Sequence, residues 1–121
     1  MIDTSFEIQS RNFLKSHNKM LELILKKKWY DMIESGEKTE EYREIKPYWW
    51  TRIFTSPIEH CSAVGSYNMK HNTVRFSLGY GKDRKQMTWK IGHGGIGYAK
   101  PEIAEGHMDK VIVLPLLKRI S

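Results

Sequence analysis

Hydrophobic and polar positions alternate along two segments of the chain, and this period of two predicts β-strands. In residues 74–80, Val, Phe, Leu and Tyr alternate with Arg, Ser and Gly, and residues 87–91 repeat the pattern after a turn-forming Gly-Lys-Asp-Arg sequence, so the two segments predict a hairpin. Dense apolar runs at 21–25 and 111–117 predict buried strands. Pro115 interrupts the second run, which predicts a sheet edge or a bulge there.

Two short helices are predicted between the first strand and the hairpin. An apolar stripe at helical spacing, in residues 29–33, stops before Gly36, which can take the left-handed conformation that closes a helix. Pro47 suits the first position of a second helix that continues over residues 48–53. Residues 55–71 are predicted as loop. Several strands with one or two short helices predict an α+β, mostly β fold, a small closed or half-closed barrel.

The chain is long enough for one domain with its own core, since 121 residues bury roughly two-thirds of the surface that the unfolded chain exposes. Residues 1–18 show no clear period and are predicted as an N-terminal extension to a domain over residues 19–121. The start of the chain lacks the pattern of a secretory signal, and Cys61 is the only cysteine, which fits a reducing compartment. We therefore expect a cytoplasmic protein, a monomer or weak oligomer.

The charge balance favours an anionic partner without proving one. Twenty Lys and Arg residues against 14 Asp and Glu give a net charge of +6 and a pI near 9.4. A basic surface attracts polyanions through phosphate neutralisation and counterion release, but the solvated surface of a soluble protein explains the same excess. The apolar runs fall short of the about 20 residues that cross a bilayer, and the five histidines show no zinc-binding spacing, so we expect no membrane span, no metal and no cofactor.

Three consecutive lysines, residues 26–28, open the first predicted helix, although cations there oppose the positive end of the helix dipole. A bound anion would reverse that cost, because the free backbone N–H groups, the dipole and the lysines would all attract it. Lys27 and Lys28 are therefore candidate ligand-binding residues. The alternative is a run of solvated lysines.

The next segment combines a turn, a cation, a carboxylate and a guanidinium within eight residues. It reads Gly36-x-Lys38-x-x-Glu41-x-Arg43. Because side chains alternate along a strand, Thr39, Glu41 and Arg43 should share one face of the strand predicted here, and we expect that face to meet solvent.

This segment resembles the signature of ASCH domains, Gly-x-Lys-x-x-Glu-x-Arg after a strand and a short helix, and all four positions match. The resemblance extends over residues 20–121, with a Gly-Tyr-Gly end to the strand at 74–81 and a later turn with Pro-Glu at 101–102. It implies a PUA-like β-barrel with a cleft beside the motif, in a superfamily associated with RNA binding and with the recognition of modified bases. Fold alone does not fix function.

Within the implied cleft, Lys38 and Arg43 are expected to contact phosphate or the polar edge of a base, with Glu41 orienting them. The alternative is an ion pair between Glu41 and Arg43 that only closes the barrel. If binding is their role, Lys38→Ala and Arg43→Ala should each weaken affinity while the melting temperature barely moves. The first hypothesis is therefore a domain that binds RNA or a nucleotide.

Aromatic residues and one histidine complete the candidate site. Trp49 and Trp50 follow the motif, and because adjacent residues rarely both face inward, we expect one in the core and one in the cleft as a stacking surface for a base. Trp29 and Phe76 fit periodic positions and are predicted as core. His93 is a further candidate for the cleft.

A hydrolase is the main alternative, because some ASCH-type proteins act on acetylated cytidine or, as proposed, on RNA. The catalytic candidates would be Lys38, Thr39 and Glu41, with His93 added for a ribonuclease. The match to the amidohydrolases is incomplete, because this sequence has Glu41 where they carry a threonine nucleophile, and Thr39 lies two positions away. A protein-interaction module is the third hypothesis.

The glycine-rich run at residues 92–97 formally satisfies the Gly-x-Gly-x-x-Gly pattern of a dinucleotide-binding turn. That turn must open a helix, and the Tyr-Ala-Lys-Pro sequence that follows does not continue one. We therefore predict a loop that is either flexible or closely approached by other backbone.

Overall fold

The computed structural model describes residues 20–104, 106–107 and 109–121, and the predicted N-terminal extension at 1–18 lies outside this described part. Within it are seven strands, two α-helices and two one-turn 3₁₀ helices. The strands are β1 (Leu21–Leu25), β2 (Glu40–Arg43), β3 (Gly65–Ser66), β4 (Thr73–Leu78), β5 (Gln86–Ile91), β6 (Gly95–Gly97) and β7 (Val111–Arg119). The helices are α1 (Lys27–Glu34) and α2 (Pro47–Ile53), and the 3₁₀ turns span Ile58–His60 and Pro101–Ile103.

The strands form one sheet that curls into a half-barrel. Along the sheet the order is β1-β4-β5-β7-β6-β3, and β2 pairs with β7. β4 and β5 form the predicted antiparallel hairpin, while β1 joins β4 in parallel. This arrangement confirms the expected α+β, mostly β fold with two short helices.

β7 joins the two parts of the sheet. Its first half pairs with both β2 and β6, and its second half pairs with β5. Pro115 is therefore not on a sheet edge. Proline has no N–H to donate, and Pro115 lies where the partner of β7 changes from β6 to β5. Its carbonyl accepts a hydrogen bond from the N–H of Gly92 at 2.9 Å. The other predicted option, a bulge, is found two residues later, where the pairing with β5 skips Leu117.

One hydrophobic core joins the inner face of the sheet to both helices. β1 buries Leu21, Leu23 and Leu25 and exposes Glu22 and Ile24 between them, as the period of two requires. The helices and β4 add Tyr30, Ile33, Trp50, Ile53 and Phe76 to the same core.

The two α-helices begin and end close to the predicted positions. The N–H of Ser35 donates to the carbonyl of Asp31 at 3.0 Å, and Gly36 follows with a φ of 85°, in the left-handed region that closes a helix. α2 begins at Pro47, as predicted. None of the described helices has the length and the apolar character that crossing a bilayer requires.

Glycine permits a close approach of two short strands in regions that were predicted as loop. β6 pairs with β3, with Gly95 opposite Ser66. A Cβ atom on Gly95 would lie 1.8 Å from the carbonyl oxygen of Gly65, so only glycine fits. Of the two alternatives predicted for residues 92–97, a flexible loop or a loop closely approached by other backbone, the second is correct. The prediction that residues 55–71 are loop throughout is wrong at β3.

Candidate functional site

β1 and β2 border the open seam of the half-barrel. Among the described strands, β1 pairs only with β4, and β2 only with β7. A cleft of about 300 Å³ lies at this seam and takes lining residues from the end of β1 and from β2. We call it the seam cleft; it is lined by Ile24, Leu25, Lys26, Trp29, Glu41, Tyr42, Arg43, Glu44, Lys46, Trp49 and His107.

The carboxylate of Glu41 joins the two cations of the motif. Nζ of Lys38 donates to Oε1 at 2.7 Å, and Nη2 of Arg43 donates to Oε2 at 2.8 Å. The backbone N–H of Tyr42 also donates to Oε1, at 3.0 Å. Three donors therefore fix the carboxylate, and this charge-assisted network holds Arg43 in one orientation.

The three charged side chains differ in how far they reach the cleft surface. Those of Lys38 and Glu41 are 0% and 1% exposed, whereas that of Arg43 is 17% exposed. The face of β2 that carries Glu41 and Arg43 was expected to meet solvent, but it lies largely inside the barrel. The charges are tolerated there because they compensate one another. Lys38 does not line the cleft, so the expected direct contact of Lys38 with phosphate does not fit this placement, while the ion pair of Glu41 with Arg43 is present.

Two tryptophan rings line the cleft, each with a cation against it. The guanidinium of Arg43 lies 4.6 Å from the ring centroid of Trp49, and Nζ of Lys38 lies 5.0 Å from that of Trp29. Trp29 is half-buried and belongs to the cleft rather than the core, which corrects its prediction, because its ring covers the ammonium of Lys38. Trp50 is buried in the core and Trp49 lines the cleft, as expected of the pair, while stacking of a base on Trp49 stays a prediction.

The three lysines at the start of α1 have different surroundings. Lys26, the residue before the helix, lines the cleft. Nζ of Lys27 lies 2.6 Å from the carboxylate of Asp31 one turn later, and Nζ of Lys28 lies 4.7 Å from the ring centroid of Trp29. Neither Lys27 nor Lys28 lines the cleft, so Lys26 is the member of the run that meets the motif there.

Tyr42 fixes one wall of the cleft through two hydrogen bonds. Its hydroxyl donates to Oε1 of Glu40 at 2.7 Å and accepts from the backbone N–H of Lys100 at 3.1 Å. Burial, and then the bond to Glu40, raise the pKa of Tyr42 well above its usual range. The ring also lies 5.5 Å from Nζ of Lys38, so it helps to enclose the motif.

Two other candidate residues lie outside the seam cleft. His93 is exposed and lines a separate hollow of about 850 Å³, since it follows β5 rather than either strand of the seam. Thr39 is exposed as well, and Nζ of Lys100 donates to its hydroxyl at 3.3 Å. The structure therefore corrects both expected positions, because neither side chain lines the cleft with Glu41 and Arg43.

A second hollow, of about 600 Å³, adjoins the seam cleft. The two hollows share Ile24, Arg43, Lys46 and Trp49. We call the second one the outer hollow; its remaining lining residues are Glu22, Tyr48, Arg52 and Tyr80.

Four residues that line these hollows were not identified from the sequence: Lys46, Tyr48, Arg52 and Tyr80. A signal was present for two of them, because Tyr48 and Arg52 lie four residues apart in the predicted second helix and so share a face. No such signal was present for Tyr80. This residue continues the alternation of apolar residues in 74–80, whose apolar positions were predicted to face the core. β4 ends at Leu78, and Tyr80 beyond it is 87% exposed.

Potential metal ligands and comparisons with known proteins add no evidence on the function of this cleft. Within the described residues, no three His, Cys, Asp or Glu side chains form a group that could hold a metal ion. Comparisons of the chain with family models, with curated proteins and with solved structures found no match.

Proposed function

We propose that the seam cleft binds RNA or a nucleotide, and that the chain is an ASCH-type domain of the PUA-like superfamily that acts in the cytoplasm. The four matching motif positions support the family, and a half-barrel that opens beside the motif supports the fold. The buried free thiol of Cys61 is compatible with a reducing compartment.

The observation that carries the proposal is the setting of Arg43. Its guanidinium is held by the buried carboxylate of Glu41, lies against the ring of Trp49, and still leaves 17% of the side chain exposed in the cleft. Its Nε atom is buried and has no hydrogen-bond partner among the described residues, and a ligand oxygen that reached it would remove the cost of that unpaired donor. A fixed planar donor of this kind suits a phosphate or the polar edge of a base.

The charges around the cleft favour an anion. Glu41 is already compensated inside the barrel, and the carboxylate of Glu44 lies 3.5 Å from Nζ of Lys46. Lys26 and Arg43 also line the cleft, so the lining and the buried Lys38 together hold four cations against the two carboxylates of Glu41 and Glu44. A phosphate would therefore enter a site in which positive charge is in excess and the acidic groups are paired.

A hydrolase that uses the same cleft is less well supported. Its candidate base, Lys38, has a side chain that is 0% exposed and bonded to Glu41. Its candidate nucleophile, Thr39, lies beside Lys100 and does not line the cleft. A substrate in the seam cleft would meet Arg43 before either group.

Fluorescence anisotropy with labelled single-stranded RNA and with labelled nucleotides tests the proposal. Arg43→Lys keeps a positive charge beside Glu41 but loses the planar donor, and we expect about a tenfold loss of affinity. Arg119→Ala is the control, because Arg119 is exposed and pairs with Glu34, and neither residue lines the cleft.

The control should keep its affinity within about twofold of the unmodified protein. Circular dichroism of each variant establishes that the fold is retained. If the unmodified protein binds neither RNA nor nucleotide, or if Arg43→Lys and Arg119→Ala bind equally well, the seam cleft is not a binding site for nucleic acid, and a protein partner becomes the better hypothesis.

A further inference from the structure

Two exposed tyrosine rings line the outer hollow and have no role in binding a ligand confined to the seam cleft. Tyr48 and Tyr80 are 54% and 87% exposed. They come from different parts of the chain, α2 and the segment after β4, yet both line the same hollow. Exposed apolar surface that is gathered in one concave place, rather than scattered, marks an interaction site.

The outer hollow adjoins the seam cleft, and we call the two together the track. Their shared wall contains Arg43, Lys46 and Trp49. A ligand that extends past Arg43 can therefore contact the lining of both hollows.

A flat stack of side chains stands in the outer hollow. The guanidinium of Arg52 lies 3.6 Å from the ring centroid of Tyr48, and its Nη1 donates to the carbonyl oxygen of Tyr48 at 2.7 Å. The ring of Tyr48 in turn meets the ring of Trp49 edge-on, with centroids 4.8 Å apart. These contacts fix the stack, and guanidinium planes and aromatic rings are the surfaces on which unpaired bases stack.

The charges in the outer hollow are also suited to a phosphate backbone. Arg43, Lys46 and Arg52 line it. The lining carboxylate, Glu22, is held by the guanidinium of Arg75, whose Nε and Nη2 donate to its Oε1 at 2.9 and 2.6 Å. The three cations therefore outnumber the one lining carboxylate, which Arg75 partly neutralises.

We propose that the track binds a single-stranded nucleic acid of two or more nucleotides, with one base in the seam cleft and a neighbouring base on Tyr80 or on the Tyr48–Arg52 stack. This inference rests on the proposed function and adds the substrate class. In a duplex the faces of the bases are already stacked on one another and cannot reach the exposed rings. A mononucleotide would leave the outer hollow empty.

Competition anisotropy with uridine monophosphate, a uridine hexanucleotide and a duplex containing the same strand tests the proposal. We expect the hexanucleotide to bind at least about tenfold more tightly than the mononucleotide, because stacking of one further base supplies a gain of that order. The duplex should bind more weakly than the hexanucleotide. A DNA strand of matching sequence that binds as well as the RNA would support the track as a stacking surface that does not read the 2′-hydroxyl.

Variants of the outer hollow separate this inference from the proposed function. Tyr48→Ala, Tyr80→Ala or both should weaken binding of the hexanucleotide about tenfold and leave binding of the mononucleotide unchanged. Tyr98→Ala is the matched control, since Tyr98 is 63% exposed but lines a different hollow. Circular dichroism shows whether each variant is folded.

If the mononucleotide and the hexanucleotide bind equally, if the duplex binds more tightly than the single strand, or if neither tyrosine variant differs from Tyr98→Ala, the extended track is wrong. The proposed function survives these results as long as Arg43→Lys still weakens binding. If Arg43→Lys has no effect and no nucleic acid binds, both proposals fail.

Discussion

Nζ of Lys38 lies 2.7 Å from Oε1 of Glu41, and neither side chain is more than 1% exposed. A buried charge is tolerated only with its partner, since an unpaired ion inside a protein costs several kcal/mol of desolvation. The pair is therefore first a part of the fold, and it contributes to the binding site by fixing Arg43 through the second carboxylate oxygen.

Replacement of Lys38 should destabilise the protein strongly. Lys38→Met keeps an apolar side chain of similar length but leaves the buried Glu41 with one ionic partner, and we expect the free energy of unfolding to fall by about 3–5 kcal/mol. Lys27→Met is the control, because Lys27 pairs with Asp31 at the surface, and it should cost at most about 0.5 kcal/mol. Urea denaturation measures both, and equal small losses would show that the Lys38 pair is not structural.

Tyr42→Phe should lower stability near neutral pH. The hydroxyl of Tyr42 links β2 to the backbone of Lys100, and its removal leaves that N–H and the carboxylate of Glu40 without this partner. We expect a loss of about 1–3 kcal/mol in the free energy of unfolding. Tyr98→Phe, at an exposed tyrosine, should have no measurable effect in the same denaturation experiment.

The raised pKa of Tyr42 also predicts how stability depends on alkaline pH. The folded protein holds the phenol proton more tightly than the unfolded chain does, so this contribution to stability is complete below the ordinary tyrosine pKa of about 10 and declines as pH rises above it. Unfolding measured at several pH values on either side of about 10 should show this decline, and Tyr42→Phe should show a shallower one. Parallel curves for the two proteins would contradict the shift.

Gly95→Ala should disrupt the pairing of β3 with β6. The new methyl group would meet the carbonyl oxygen of Gly65 at 1.8 Å, and backbone must move to admit it, at a cost of about 1–3 kcal/mol. Gly92→Ala is the matched control, because its methyl group would meet the side chain of Leu117 at 3.3 Å, and that exposed side chain can turn away. Thermal denaturation compares the two; a Gly95→Ala melting temperature no lower than that of Gly92→Ala would refute the close approach.

Lys46→Ala should reduce the salt dependence of RNA binding. Lys46 lines both hollows, and each cation that neutralises a phosphate adds about one to the slope of log affinity against log salt concentration. Lys118→Ala removes an exposed lysine that lines neither hollow and should leave the slope unchanged. Affinities measured over a series of salt concentrations test this, and identical slopes in both variants would remove Lys46 from the phosphate contacts.

Local periodicity was enough to predict the larger elements of the fold. The alternation in residues 74–80 and 87–91 corresponds to β4 and β5, and Gly36 and Pro47 mark the end of α1 and the start of α2. The glycine strands could not be predicted, because β3 and β6 are two and three residues long and have no side-chain alternation. Their pairing depends on contact between distant parts of the chain.

The proximity of Glu41 and Arg43 could be predicted, but their burial could not. Alternation along β2 correctly placed Glu41 and Arg43 together, yet whether that face points into the barrel depends on the pairing of β2 with β7. Lys38 lies before the strand, and only the tertiary fold turns its ammonium inward to Glu41. This is why the sequence led us to expect almost no change in melting temperature for Lys38→Ala, whereas the structure leads us to expect a large loss.

The place of β7 in the sheet affects the order in which the molecule can form. β7 follows β2, β5 and β6 along the chain and pairs with all three. On a ribosome, β2 would emerge long before its partner, and the charged groups of the motif would stay in water until residues 111–115 had been synthesised. During synthesis, the pairing of β2 that encloses the Lys38–Glu41 pair, and with it the finished seam cleft, therefore waits for β7.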